Sequence, residues 1–423
     1  MKFKRKVLKN GVRVVTVNLK DNPTVTVLVM VEAGSKYETK PENGISHFLE
    51  HMCFKGTKNR PKAIDIVREL DSVGAQYNAF TSQEFTGYYA KSNPKHVGKI
   101  LDVVSDLYLN PLLPVEEIEK EKGVIVDEIA MYEDLPMQEV HNVFEELLYG
   151  DQPAGWKITG SKETVRAVTR EKLLTYRSRH YVPVATTIIV SGNFNEGKIL
   201  EDINSKFGSI PGNKKHDKLK VKESQSGPAL KLEYKKTDQS HIILGVRAFN
   251  TYDKKNAILR VLSAVLGGGM SSRLFQKLRD QMGIGYYVQA STDASTDHGQ
   301  FSVAIGTDVS KVEKAIVAIL EELKRMKEEL VPASELQKAK DYLIGNMHLS
   351  LETSDSLAEF YGLREIMRKE LITPDELGEE VKKITSAQIK KVAREIFDNS
   401  KLNLAIIGPL DDEKKLKSLL KID

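Results

Sequence analysis

The second half of this 423-residue chain repeats landmarks of its first half. Three pairs carry the repeat: Phe85 with Phe301, Gly192 with Gly408, and Pro114 with Pro332. The spacing between the partners is almost the same in all three pairs. A near-constant offset predicts two copies of one unit of roughly 200 residues, which is too long for a solenoid repeat. The alternative is that two unrelated domains of the same class share such fragments.

Each copy mixes strand-like and helical patterns. Thr24–Val31 is a strongly apolar strand pattern, whereas Gly44–Phe54 and Val115–Tyr132 carry apolar residues at helical spacing. The sequence therefore predicts an α+β fold of two homologous domains related by internal duplication, each an antiparallel or mixed sheet backed by helices. The polar stretch 213–228, rich in Lys, Gly and Ser, predicts a linker between domains at 1–212 and 229–423.

Composition excludes several classes of function. Lys and Arg number 63 against 59 Asp and Glu, and this balance gives no basis for a nucleic-acid or membrane-surface partner. A single cysteine excludes an intramolecular disulfide framework and a thiolate zinc site. No apolar run reaches the roughly 18 residues that span a bilayer, and no signal peptide is evident, so we expect a cytoplasmic protein.

The most specific motif is His47-Phe48-Leu49-Glu50-His51. On a helix, His47 and His51 are one turn apart with Glu50 between them on the same face. Two neutral imidazoles at this spacing can bind one Zn²⁺, and the glutamate can take a proton from a water activated by the metal. The alternative is two histidines on an ordinary polar helix face.

A catalytic zinc usually takes a third protein ligand. In the helical pattern after Pro114, Glu121 and Glu128 fall in an otherwise apolar stripe. A carboxylate on a buried face needs a cation or hydrogen-bond donors. Either residue is therefore a candidate ligand, although both could simply be solvated among neighbouring charges.

The inverted motif, followed further along the chain by Glu128, resembles the pitrilysin/insulinase/mitochondrial processing peptidase family. Other stretches fit that family: Gly44–Thr57, Gly74–Thr81 and Leu266–Tyr286. The resemblance implies a zinc endopeptidase with one Zn²⁺ per chain. It implies these roles: His47, His51 and Glu128 as zinc ligands, Glu50 as general base, and Glu121 as a carboxylate orienting the site. The segment Gly155–Gly160 follows the family pattern only loosely, and its role stays open.

The resemblance also gives the second copy a role without metal. The offset that relates Pro114 to Pro332 places Ala339 opposite Glu121 and Asn346 opposite Glu128. No histidine occurs in Ala257–Gly269, where the counterpart of the motif falls. Arg279 and Tyr286 match a pair that in this family binds the substrate backbone. A guanidinium and a phenol can donate hydrogen bonds to a peptide carbonyl.

By the same resemblance, Asn78, Ala79 and Phe80 belong to a sheet edge beside the zinc. An extended substrate would add there as a further strand, main chain to main chain. Unfolded peptides enclosed between two chains are thus the expected substrates. Because one chain carries both the zinc motif and the Arg279–Tyr286 pair, we expect a homodimer. The alternative is a metal-binding but non-catalytic structural subunit, or one partner of a heterodimeric peptidase.

Overall fold

The computed structural model describes residues 2–422, which form eleven β-strands and fifteen α-helices. The strands are β1 (Lys4–Val7), β2 (Arg13–Asn18), β3 (Val25–Val31), β4 (Gln76–Thr81), β5 (Thr86–Ser92), β6 (Thr186–Gly192), β7 (Ala229–Tyr234), β8 (Gln239–Arg247), β9 (Tyr287–Ala294), β10 (Gly299–Asp308) and β11 (Asn403–Gly408). The helices are α1 (Ile45–Cys53), α2 (Ala63–Asp71), α3 (Val97–Leu109), α4 (Val115–Glu133), α5 (Pro136–Tyr149), α6 (Lys162–Arg166), α7 (Arg170–His180), α8 (Glu196–Phe207), α9 (Lys255–Gly267), α10 (Val312–Glu328), α11 (Ala333–Ser350), α12 (Ser354–Arg368), α13 (Pro374–Lys382), α14 (Ser386–Ile396) and α15 (Glu413–Ser418).

The strands form two sheets with the same topology. The first has the order β1-β2-β6-β3-β5-β4 and the second has the order β7-β11-β8-β10-β9. In each sheet one neighbouring pair is parallel, β2 with β6 and β7 with β11, and the other pairs are antiparallel. The second sheet thus repeats the first without β1. This confirms the predicted α+β fold of two duplicated units built on mixed sheets.

Strand pairing refines the predicted alignment of the two copies. Ile188 and Leu404 occupy equivalent positions, each shortly before the glycine that ends β6 or β11. Following the pairings outward from these two residues leads to Tyr88 in β5 and to Val303 in β10. The offset at this strand is therefore one position shorter than the match of Phe85 with Phe301 predicts.

The central strand β3 is buried along its whole length. One face, represented by Val27 and Val29, packs into the core cluster that includes α1 and α3. The other face carries Leu28 and Met30, which lie against Gly362 of α12. Cover on both faces explains why both faces of this strand carry apolar residues, with Thr26 the one polar side chain among Val25–Val31.

Two helices cross between the halves of the chain. One compact unit comprises the chain up to Ala130, Trp156–Leu219 and Leu349–Thr373, and therefore contains α12. The other comprises Met131–Gly155, Lys220–His348 and the chain from Pro374, and therefore contains α5, which packs on β8 and β11 through residues such as Phe144.

These units differ from the continuous domains 1–212 and 229–423 that the sequence predicts. Hydrophobic periodicity identifies the apolar face of a helix but not the sheet that this face covers. The packing of α5 and α12 on the sheet of the other half of the chain therefore leaves no signal in the local sequence. Where one repeat ends and the next begins stays a prediction. The predicted linker 213–228 contains neither helix nor strand. Among residues 2–422, the helices lack the combination of length and apolar composition that a membrane crossing requires.

A buried ion-pair network attaches α12 to the first sheet. The Glu365 side chain has no solvent exposure, and its two oxygens accept hydrogen bonds from the Arg5 guanidinium at 2.8 and 2.9 Å. Arg13, with only 7% of its side chain exposed, lies 3.3 Å from Glu365 and 2.6 Å from Glu32. The carboxylate of α12 is thus the common partner of two guanidinium groups from the N-terminal strands.

Replacing Glu365 with alanine should lower the free energy of unfolding by about 3 kcal/mol, because it leaves a buried guanidinium with fewer partners. Glu359→Ala, at an exposed position of the same helix, is the matched control and should cost less than about 0.5 kcal/mol. Chemical denaturation of both variants measures the difference. Equal losses in the two variants would contradict the assigned role of Glu365.

Candidate metal centre and substrate-binding residues

Helix α1 has an apolar face and a polar face. Its apolar side chains are fully buried in the first unit: Ile45, Phe48, Leu49 and Met52. The polar residues His47, Glu50 and His51 lie on the side that approaches β4 and α4. The arrangement matches the predicted division of this helix into a packing face and a face available to a metal.

His47, His51 and Glu128 form one cluster, in which one potential ligand atom of each lies within 4.8 Å of the others. The Nε2 atoms of His47 and His51 each lie 3.7 Å from Oε2 of Glu128. These separations are too long for hydrogen bonds. They are close to the roughly 3.4 Å expected between ligands of one tetrahedral zinc at metal–ligand distances near 2.0–2.1 Å.

Glu121 contacts this cluster through the ring of His51. Its Oε1 lies 2.8 Å from Nδ1 of His51, and its Oε2 lies 2.6 Å from Nζ of Lys55. Although burial alone raises its pKa, the His51 and Lys55 contacts lower the pKa of Glu121 overall, so the carboxylate is charged. When Nδ1 donates its hydrogen to Glu121, Nε2 of His51 keeps a lone pair directed at the cluster.

The electrostatics of the cluster suit a cation. Burial lowers the pKa of His47 to about 3, which keeps its imidazole neutral, as a metal ligand must be. Burial also lowers the pKa of His51, but Glu121, Glu50 and Glu128 outweigh it and raise that pKa overall. A field that stabilises a proton on His51 equally stabilises a metal ion. The donor set, two imidazoles and one carboxylate, therefore fits Zn²⁺.

Glu50 lies on the same face as the histidines but is not a member of the cluster. Its Oε2 accepts a hydrogen bond of 2.5 Å from the Thr81 hydroxyl at the end of β4. Burial raises the pKa of Glu50, although the bond from Thr81 acts in the opposite direction. A carboxylate that is held in place, is not a ligand and has a raised pKa is suited to proton transfer.

Cys53 takes no part in this site. The thiol is fully buried, and its sulfur lies 3.5 Å from the Tyr88 hydroxyl. Burial raises the pKa of Cys53 to about 11, so the thiolate form that binds metals is suppressed. The thiol therefore lies outside the candidate metal cluster.

Strand β4, which contains Asn78, Ala79 and Phe80, is the last strand on its side of the first sheet. Ala79 packs on the core, Asn78 is exposed, and the Phe80 ring lies over Gly87 of β5. The predicted sheet edge is confirmed, and Thr81 connects its end to Glu50. Binding of substrate to these residues stays a prediction.

In the second unit, Arg279 and Tyr286 are in contact. Arg279 lies in a π-helical segment, Phe275–Gln281, and its Nη1 donates a 2.7 Å hydrogen bond to the main-chain oxygen of Tyr286. The Tyr286 side chain is 62% exposed. The two residues thus lie together through a main-chain contact that leaves the Tyr286 side chain exposed, and binding of substrate by this pair stays a prediction.

The second unit has no metal cluster among its described residues. Helix α9 takes the place of α1 and contains no histidine. In α11, Ala339 is as buried as Glu121 of α4, at 3% exposure, and Asn346 is exposed. Near the end of α9, Gly267–Gly269 line a cavity of about 460 Å³ together with β9 and Tyr342. The second unit thus shares the sheet topology of the first, without a comparable set of ligand side chains among its described residues.

Sequence reasoning missed three contributors to the site. Thr81 and Lys55 lie within stretches that fit the family resemblance, yet no local spacing connects them with Glu50 or Glu121. The loop 156–160, whose role was open, lies against the start of α1, where Lys157 accepts a 3.0 Å hydrogen bond from Asn43. These contacts join segments distant in sequence, so only the folded chain reveals them.

Comparison with known proteins extends this picture. Residues 13–162 match the family described as Insulinase (Peptidase family M16), and residues 167–343 match the Peptidase M16 inactive domain. The Bacillus subtilis protein named uncharacterized zinc protease YmxG is 35% identical over 96% of this chain and 98% of its own length. An uncharacterized zinc protease of Streptomyces coelicolor is 32% identical over 97% and 90% of the two chains.

Solved structures show the same fold. A protease from Helicobacter pylori superposes with a TM-score of 0.89 at 24% identity, covering 96% of this chain and 99% of that protein. A chain of complex III from Candida albicans gives a TM-score of 0.86 at 17% identity, covering 99% of both chains. At these identities the likeness concerns the fold alone.

The geometry predicts graded losses of zinc affinity from three variants of α4. Glu121→Gln should weaken zinc binding by about 10–100-fold, because it removes the charge that orients His51. Glu128→Gln should weaken it more, since this carboxylate faces both Nε2 atoms. Glu117→Gln, on the solvent side of the helix in an ion pair with Lys120, is the control and should bind zinc normally.

Competition with a chromophoric chelator measures the three dissociation constants. Equal losses for Glu121→Gln and Glu128→Gln would contradict the distinction between a ligand and an orienting carboxylate.

Proposed function

Because this chain belongs to the insulinase family of M16 peptidases, we propose that it is a zinc-dependent endopeptidase acting on extended peptides. The observation that carries the proposal is the convergence of His47, His51 and Glu128, with Glu50 held beside them by Thr81. The names of the relatives support zinc as the metal.

Each polar residue of the site has a separate task. His47, His51 and Glu128 would hold the ion, and Glu121 would keep the His51 ring in the tautomer that binds it. When bound, zinc supplies a Lewis acid that polarises the peptide carbonyl and lowers the pKa of water. Glu50 would accept a proton from the attacking water and pass it to the leaving amine.

Strand β4 supports a preference for extended substrates. Its outer edge is unpaired within residues 2–422, so a peptide strand can bind there through main-chain hydrogen bonds. Such bonds do not read side chains, which favours broad specificity. Arg279 and Tyr286 of the second unit would donate further hydrogen bonds to the substrate backbone.

The rival hypothesis is a chain that binds metal without catalysis. A purely structural metal site needs ligands but not a proton acceptor beside them. Here Glu50 is not a member of the cluster, and its carboxylate is nevertheless half-buried and hydrogen-bonded at 2.5 Å on the same face of α1 as the histidines. That arrangement favours the catalytic hypothesis.

Glu50→Gln should lower kcat by about 10²–10⁴-fold, because an amide cannot accept the proton. Its zinc affinity should stay close to that of the wild type, since Glu50 is not a ligand. Cleavage of an unstructured peptide library, measured with zinc content on the same samples, tests both expectations. Loss of zinc together with activity would show that Glu50 serves the metal and not the proton.

The substrate class is tested with one polypeptide in its folded and in its unfolded state. A stably folded domain should resist cleavage, and the same domain should be cut after it is unfolded. Efficient cleavage at interior sites of the folded domain would contradict the preference for extended chains.

The proposal includes a homodimer in which Arg279 of one chain serves the zinc site of the other. Closed two-fold symmetry would let two identical chains complete both sites in the same way. Homodimers of Glu50→Gln and of Arg279→Ala should each be nearly inactive. After random subunit exchange, half of the dimers should be hybrids with one good site of two, so the mixture should recover roughly a quarter of wild-type activity.

Hybrid formation is followed by different affinity tags on the two variants. Hybrids that form without recovery of activity would mean that Arg279 acts within its own chain or not at all.

A further inference from the structure

Glu38 is a buried carboxylate that the proposed chemistry does not use, and it lies at the start of α1. It is 2% exposed. Its Oε2 accepts hydrogen bonds from the main-chain nitrogen of Gly44 at 2.8 Å and from Nδ2 of Asn43 at 3.0 Å, while Oε1 accepts from the main-chain nitrogen of Ser46 at 2.8 Å. Burial raises the pKa of Glu38 to about 7, although these hydrogen bonds act in the opposite direction. The acid is therefore retained here despite the cost of desolvating it.

The first turn of a helix lacks internal partners for its N–H groups. Helix α1 begins after Gly44, which has a φ of +94° and no side chain with which to cap the helix. Glu38 supplies the acceptor from outside the helix, and the positive end of the helix dipole favours its ionised form. The carboxylate thus substitutes for the missing N-cap side chain.

The two histidines of α1 are fixed in different ways. The His51 ring is held by Glu121 at 2.8 Å. Nδ1 of His47 is buried and has no hydrogen-bond partner among the described residues. The His51 ring packs edge-on against the His47 ring at 4.6 Å, but no hydrogen bond fixes Nδ1 of His47, so the position of this ring depends more on the main chain of the first helical turn. Glu38 binds that turn at Ser46, the residue immediately before His47.

Asn43 extends this attachment to the loop 156–160. Its Nδ2 donates to Glu38 and also, at 3.0 Å, to the main-chain oxygen of Lys157. A side chain at Gly44 would meet the Thr159 oxygen at 2.6 Å, so the loop packs directly on the helix start. The start of α1 is therefore held by Glu38 with Asn43 and also by the loop 156–160.

We propose that Glu38 is a positioning residue of the metal site, which fixes His47 through the main chain as Glu121 fixes His51 through its ring. This inference rests on the proposed zinc-peptidase function. It gives the loop 156–160 a role as the second support of the same helix start.

The test compares three variants of the full chain by zinc affinity and by the visible absorption of the cobalt-substituted protein. Glu38→Ala should weaken zinc binding by at least about tenfold, as loss of an orienting partner typically does, and should alter the cobalt bands. Glu38→Gln keeps one acceptor oxygen and should show a smaller effect. Glu42→Gln, whose carboxylate bonds Thr39 in the preceding turn, should match the wild type.

Thermal unfolding of the metal-free proteins separates positioning from folding. A folded Glu38→Ala with wild-type zinc affinity and unchanged cobalt bands would overturn the inference, even if its Tm were lower. Should Glu38→Ala fail to fold, an unchanged zinc affinity in Glu38→Gln would overturn it instead. Wild-type protein that binds no zinc would overturn the proposed function itself, whereas the other outcomes leave that function standing.

Discussion

The constraint on which the rest of the structure depends is that the central strands are apolar on both faces. Strand β3 and its neighbour β6 are buried at every position, so helices must cover both sides of the sheet. One cover includes α1, whose apolar face joins the core and whose opposite face is thereby directed away from it. The other cover is α12, which comes from the other half of the chain. Packing of α1 on the sheet thus determines which side of this helix is available to a metal.

The three carboxylates near His47 and His51 make different contacts. Glu128 lies 3.7 Å from the Nε2 atoms of both histidines, and Glu121 contacts Nδ1 of His51. Glu50 instead accepts a hydrogen bond from Thr81. Lys55 balances part of the combined charge of the three carboxylates in this half-buried site, and a bound cation would balance the rest. In the second unit, Ala339 occupies the position that corresponds to Glu121, and the described residues there form no such cluster.

The parts predicted from the sequence are those whose signal is local. His47 and His51 are one helical turn apart, so their meeting follows from the geometry of a single helix. Family resemblance placed Glu128 beside them. Thr81, Lys55 and Glu38 could not be predicted, because each acts across a contact between separate segments. The sheets on which α5 and α12 pack could not be predicted either, since an amphipathic pattern does not identify the surface that a helix will cover.

The packing of α5 and α12 on the sheet of the other half of the chain has a consequence for how the two halves stay together. Helices α5 and α12 begin at Pro136 and Ser354, which are equivalent points of the two repeats, and each covers the sheet formed by the other half of the chain. This is the arrangement of a domain-swapped dimer of one repeat, joined into a single polypeptide by the segment 213–228. The swapped helices thus place part of each half of the chain in the unit built on the other half. A protease that nicks the joining segment would cut the chain without parting its halves.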